Sequence, residues 1–96
     1  MVAGYVIVEV EVTDPEPYEA YRTRVPATLE RYGGRFLVRG DAVQALEGGW
    51  QPRRLVVLEF PSVERAREWY ASPEYQQILP IRERYARSRA VIVEGV

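Results

Sequence analysis

Leu55, Val56, Val57 and Leu58 form a continuous apolar run that only Glu59 breaks before Phe60. A strand without alternation between apolar and polar residues has to be covered on both faces, and no other stretch constrains the fold so tightly. Pro61 cannot donate to a ladder and ends the strand, while Ser62 is a good N-cap for a helix beginning at Val63. In that helix Val63, Ala66 and Tyr70 recur at helical spacing with Trp69 beside them. Glu64, Arg65, Arg67 and Glu68 take the wet side. Arg54 to Tyr75 therefore reads as a strand running into an amphipathic helix laid on a sheet.

The remaining segments supply partners for this unit. From Tyr5 to Val12, Val6, Val8, Val10 and Val12 fall on one face and Tyr5, Ile7, Glu9 and Glu11 on the other, a strand with one dry side. Asp14-Pro15 is a cap followed by an N1 proline, and Tyr18, Tyr21, Val25, Leu29 and Tyr32 form a helical stripe behind it. Pro26 removes one hydrogen bond and crowds the carbonyl of Arg22, which predicts a kink or short break over Arg22 to Val25. Gly33 and Gly34 end the helix in the left-handed way. A second strand follows at Arg35 to Gly40, with a bulge or bend expected at Gly40-Asp41 and extended chain resuming over Val43 to Glu47. Gly48, Gly49 and Pro52 then turn the chain, with Trp50 at the tip, so that strands two and three make a hairpin. Ser72-Pro73-Glu74 restarts a helix and puts a jog after Ala71. Tyr75, Ile78, Leu79, Arg82 and Tyr85 share the next stripe, which Pro80 interrupts, and Arg89 to Val96 closes the chain as a strand apolar on both faces over Ala90 to Val93.

The order strand, helix, strand, strand, helix, strand has no internal linker, and 96 residues make one domain, residues 1–96. It is the α+β, ferredoxin-like βαββαβ plan: a four-stranded antiparallel sheet with strands one and three in the centre. Two helices cover one face of such a sheet, and a bare Val/Leu face is not tolerated on a soluble monomer. A homodimer packing through its sheet faces is expected.

The motifs GGRFLVRG (Gly33 to Gly40), LEGGWQPRRLVVLEFPS (Leu46 to Ser62), WYASPEY (Trp69 to Tyr75) and VEG (Val93 to Gly95) together resemble the family catalogued as domain of unknown function 1330, in the dimeric α+β barrel superfamily. The resemblance runs nearly end to end and implies two sheets facing each other in a homodimer. At the level of fold it extends to cofactor-free antibiotic-biosynthesis monooxygenases, muconolactone isomerase and haem enzymes, but fold does not assign an activity.

Composition removes much chemistry. The chain has no Cys, His, Lys or Asn, so all 13 basic residues are Arg. Thiolate nucleophiles, disulfides, Schiff-base lysines, histidine bases, Cys/His zinc sites and histidine-ligated haem are excluded, and no cofactor or metal is expected. Proton transfer near neutrality would fall to a Glu, Asp or Tyr with a displaced pKa. The same bias is compatible with a heat-adapted source or with genome composition. A net charge of -1 with interleaved signs offers no stripe for nucleic acid, and no window is long and apolar enough for a membrane. The start MVAGYVIVEVEV lacks a basic n-region, so a cytoplasmic protein is expected.

Arg82 stands on an otherwise apolar stripe and needs a carboxylate, for which Glu9, Glu59 and Glu94 are candidates. One reading is an enclosed pocket between sheet and helices that grips a small anionic or phenolic ligand. Tyr21, Trp69, Tyr75 and Arg82 would line it, and a desolvated Glu59 would be the candidate catalytic base. The other reading is a structural ion pair with aromatic core packing. Arg39, with Arg35, Arg53 and Arg54, belongs either to a solvated cluster paired with Glu47 and Glu59 or to an anion site at the barrel mouth. Trp50 reads as a dimer or lid contact. The function that follows is a cofactor-free enzyme acting on a small aromatic or anionic metabolite; the alternative is a non-catalytic ligand-binding or dimerisation module.

Overall fold

The computed structural model describes residues 2–96. It contains β1 (Gly4–Val12), α1 (Pro15–Arg31), β2 (Arg35–Gly40), β3 (Arg54–Phe60), α2 (Val63–Ala71), α3 (Pro73–Gln76), α4 (Leu79–Tyr85) and β4 (Ala86–Glu94). The strands form one sheet in the order β2-β3-β1-β4, antiparallel throughout, so β1 and β3 are central. This is the α+β, ferredoxin-like architecture. No helix is long and apolar enough to cross a membrane.

The capping chemistry accounts for the helix boundaries. Ser62 Oγ accepts from the Arg65 amide at 3.1 Å, and Ser72 Oγ accepts from the Tyr75 amide at 3.1 Å while donating to the Trp69 carbonyl at 2.7 Å. Ser72 thus closes α2 and opens α3, which is the jog that Ser-Pro-Glu predicts. Asp14 occupies the N-cap of α1 without a side-chain cap bond, and Gly33, at φ 75°, ends the helix in the left-handed region. Gly34 is needed for a different reason, since a Cβ there would lie 2.5 Å from the Phe60 ring. Gly4 is also held to its size, because its Cβ would stand 2.6 Å from the Val63 backbone where β1 crosses the start of α2.

Two local expectations need correction. The helix α1 runs without a break through Pro26: the proline ring is exposed while Val25, Thr28 and Leu29 are buried around it, and that packing outweighs one lost hydrogen bond. Residues 41–53 contain no strand at Val43 to Glu47. The Gln51 side chain holds this segment as a loop, donating to the Val43 carbonyl at 2.7 Å and accepting from the Ala45 amide at 3.1 Å, with Gly48 and Gly49 at positive φ. The chain bends at Asp41, as Gly40-Asp41 suggests, and β2 carries a further irregularity between Phe36 and Val38.

Strand register divides the sheet into two faces. Val6, Val8, Val10, Leu58 and Phe60 are buried beneath the helices with Tyr18, Val25, Leu29, Ala66, Trp69, Tyr75, Ile78 and Leu79. Of the α2 stripe, Ala66 and Trp69 face this core, whereas Tyr70 is 39% exposed. On the outward face the pairings make three rungs. Val38, Val57, Ile7 and Val91 form an apolar middle rung across all four strands. On one side of it stand Arg35, Glu59, Tyr5 and Val93, and on the other Gly40, Leu55, Glu9 and Arg89. Val91 is 59% and Val93 46% exposed, so this face has no cover within the protomer.

Candidate functional site

Between the helical face of the sheet and the helices lies an open-mouthed cleft with a cavity volume of about 60 Å³. Strand alternation sets its floor: Val8 and Val10 from β1, Val56 and Leu58 from β3, and Phe36 from β2. The roof comes from Tyr18, Tyr21, Arg22 and Val25 of α1, Trp69 of α2 and Arg82 of α4. Arg39 and Arg54 complete the lining.

Arg39 reaches the cleft because of the irregularity in β2. Residues 36 and 39 are three apart and would point to opposite faces of a regular strand. The extra residue at Leu37 shifts the register so that Phe36 opposes Leu58 and Arg39 opposes Val56, both on the helical face. The Arg39 guanidinium then lies 4.4 Å from the Phe36 ring centroid.

The aromatic roof is tied together by hydroxyl and indole bonds. Tyr21 and Tyr75 share a hydrogen bond between their hydroxyls at 2.7 Å, and the Trp69 indole N–H donates to Thr28 Oγ1 at 3.0 Å. The Trp69 and Tyr75 ring centroids are 4.1 Å apart, and those of Tyr18 and Tyr21 are 5.3 Å apart. Tyr75 is fully buried behind this roof and braces Tyr21 without lining the cleft. Burial raises the pKa of Tyr21, reinforced by Tyr75, and burial likewise raises Tyr75 and Tyr18 against the opposing charge of Arg82. These phenols stay protonated at neutral pH and act as hydrogen-bond donors.

The expected carboxylate partner of Arg82 is not there. Arg82 is 7% exposed, its Nε has no hydrogen-bond partner, and no acid among the described residues forms an ion pair with it. The physical reason is strand parity: Glu9 and Glu59 occupy odd positions on strands whose other parity faces the helices. Glu59 instead accepts from Arg35 Nη2 at 2.6 Å and from the Tyr5 hydroxyl at 3.0 Å on the outward face. The Arg35 hydrogen bond, helped by Tyr5, holds its carboxyl below the usual range, the opposite of a desolvated base. Glu9 bonds Arg89 and the Trp50 indole there as well. Of the residues proposed from sequence, Tyr21, Arg39, Trp69 and Arg82 therefore converge on the cleft, Tyr75 stands behind it and Glu59 lies across the sheet. Arg22, Arg54 and Tyr18 are additional lining residues. Arg22 could have been found on the stripe beside Tyr18 and Tyr21, but the position of Arg54 depends on strand pairing. Among the described residues no cluster of acids could hold a metal ion.

The chain belongs to the family Domain of unknown function (DUF1330), whose model matches residues 3–96. A comparison with curated proteins finds no match. Among solved structures it is similar to RPA0582, a protein of unknown function from Rhodopseudomonas palustris, with a TM-score of 0.78 and 22% identity over 99% of this chain and 83% of that one. It is also similar to SnoaB, a cofactor-independent oxygenase from Streptomyces nogalater, with a TM-score of 0.60 and 15% identity over 96% of this chain and 89% of that one. A Nitrosomonas europaea protein classed provisionally as an antibiotic biosynthesis monooxygenase gives a TM-score of 0.58 and 18% identity over 98% of this chain and 90% of that one. Identities this low establish a shared fold and nothing finer.

Proposed function

We propose that this protein is a homodimeric small-molecule enzyme whose cleft takes a small aromatic or anionic metabolite in each protomer and acts on it without a resident cofactor. One observation carries the reading. An aromatic-roofed cleft is lined by the buried Arg82, whose Nε has no hydrogen-bond partner, and by no acidic side chain among its described lining residues. Such a site catalyses by positioning and by stabilising negative charge on the bound molecule. The fold shared with a cofactor-independent oxygenase supports an enzyme. The unpartnered middle rung of the sheet supports the dimer, since a second copy related by a two-fold axis would bury it.

A second reading, a non-catalytic binding module, draws on the lack of any Asp, Glu, His or Cys among the described lining residues. Screening a library of aromatic and anionic metabolites by thermal shift and native mass spectrometry, then following each hit for conversion with and without oxygen, separates the two. Turnover that Tyr21→Phe or Arg82→Gln reduces supports the enzyme. Hits that bind and persist unchanged support the module, and the absence of any hit at millimolar concentration sinks both.

A further inference from the structure

Four arginines line the cleft from four separate elements: Arg22 from α1, Arg39 from β2, Arg54 from β3 and Arg82 from α4. No Asp or Glu is among the described lining residues. Arg22 has only an exposed contact with Glu19 at 3.7 Å, and Arg39 rests on the Phe36 ring. Arg82 has no ion-pair partner among the described residues: it is 7% exposed and its Nε donor is unmet. A lysine in that position could shed its proton and become neutral, but a guanidinium cannot. A fixed charge with a buried, unmet donor is costly unless a nearby anion offsets it.

The geometry of the donor and the character of the walls narrow that anion. Arg82 Nε is sealed inside the protein, and the two Nη groups of a guanidinium make a planar pair that the two oxygens of a carboxylate match. Phosphate sites are built largely from backbone N–H groups at helix starts and turns, whereas this floor consists of strand side chains, chiefly valine and leucine. The walls on either side are the rings of Tyr18, Tyr21, Trp69 and Phe36. An apolar, ring-lined slot with one buried guanidinium fits a flat apolar body with a single-charged planar head.

We propose that the ligand of this cleft is an aromatic carboxylate, its carboxylate seated on Arg82 and its ring held between the tyrosine roof and the valine floor. The inference rests on the cleft being the binding site. Arg39 and Arg54, being less buried, attract the anion from solution and make its capture sensitive to salt.

Titration of the full-length protein with benzoate, benzamide and inorganic sulfate, followed by amide and tyrosine side-chain NMR, tests the assignment. Benzoate is expected to shift Tyr18, Tyr21 and Arg82 resonances and to bind at least about tenfold more tightly than benzamide, consistent with a charge-assisted fork. Arg82→Gln is expected to bring benzoate down to the level of benzamide and leave benzamide unchanged. If Arg82→Gln does not fold, Arg82→Lys keeps the charge but lacks the fork, and a loss of several-fold for benzoate is expected. Equal binding of benzoate and benzamide in the cleft would overturn the carboxylate while leaving the cleft as the site. Sulfate competing as strongly as benzoate would overturn the aromatic part. If neither aromatic compound moves a cleft resonance, the binding site itself is misassigned and this proposal goes with it.

Discussion

The indole N–H of Trp69 donates to Thr28 Oγ1 at 3.0 Å, and the same hydroxyl donates to the Val25 carbonyl at 2.7 Å, joining α2 to α1 through one atom. Both side chains are buried, so neither polar group has water to fall back on. Thr28→Val conserves the volume and removes the acceptor. The expected cost is about 1–3 kcal/mol, a drop of several degrees or more in Tm. Trp69→Phe in the Thr28→Val background removes the stranded donor and should add less to the loss than it does alone. Urea unfolding of the four proteins in the cycle measures this.

Tyr21 and Tyr75 form a second bridge, from α1 to α3, through their 2.7 Å hydroxyl contact. Replacing either with Phe strands the other hydroxyl, whereas replacing both leaves an apolar pair of the same shape. The double variant is therefore expected to be about 1 kcal/mol more stable than the sum of the single losses predicts. Additive losses would show that the two hydroxyls do not support each other.

Acid should weaken the protein partly through Glu59. Its folded pKa lies below the ordinary 4.5 because of Arg35 first and Tyr5 second. The unfolded chain therefore takes up the proton at higher pH than the folded one. The stabilisation is complete above about pH 4.5 and is lost as the pH falls through the folded value. Thermal melts from about pH 6 down to about pH 3 should fall more steeply for the wild type than for Glu59→Gln. Parallel curves would mean that this carboxyl does not contribute.

The middle rung of the outward face is where the proposed dimer is most sensitive. Val91→Glu places a charge beside Ile7 at the end of the apolar rung, where a facing sheet would bury it. Sedimentation at micromolar concentration should show a dimer for the wild type and a monomer for the variant, with the helical content of the two unchanged. A wild-type monomer would remove the dimer.

Gly4 is the tightest steric point at the strand–helix crossing. Because a Cβ would stand 2.6 Å from backbone that has no flexible end to move aside, Gly4→Ala should cost about 1–3 kcal/mol despite its better strand propensity. A change within experimental error would mean that β1 and α2 can separate freely.

Element order and core stripes could be read from the residues because they depend on short-range chemistry. Ser62 and Ser72 cap helices through bonds spanning three residues, and the Val6-Val8-Val10 alternation is a property of one strand. The site depended on relations of another kind. Whether Glu59 meets Arg82 is a question of which face each parity takes once β1 and β3 pair, and the apolar run around Glu59 carries no alternation to indicate it. The delivery of Arg39 to the cleft turns on an irregularity at Leu37, where no glycine or proline marks the position. The loop at 41–53 is not legible locally, because Val43 to Glu47 lies between Gly40-Asp41 and Gly48-Gly49 as a strand between turns would, while the decisive interaction, the Gln51 amide, lies several positions away.

The guanidiniums of the cleft come from parts of the chain far apart in sequence, and only the finished fold gathers them. In the unfolded chain they are dispersed and hydrated, so an anion has almost nothing to hold there. An anion bound in the proposed site would therefore favour the assembled molecule over the disordered one, and melting temperature would be a direct readout of its occupancy. Under that proposal a vacant protein gains little from its own arginines, and its margin against heat follows the supply of the anion.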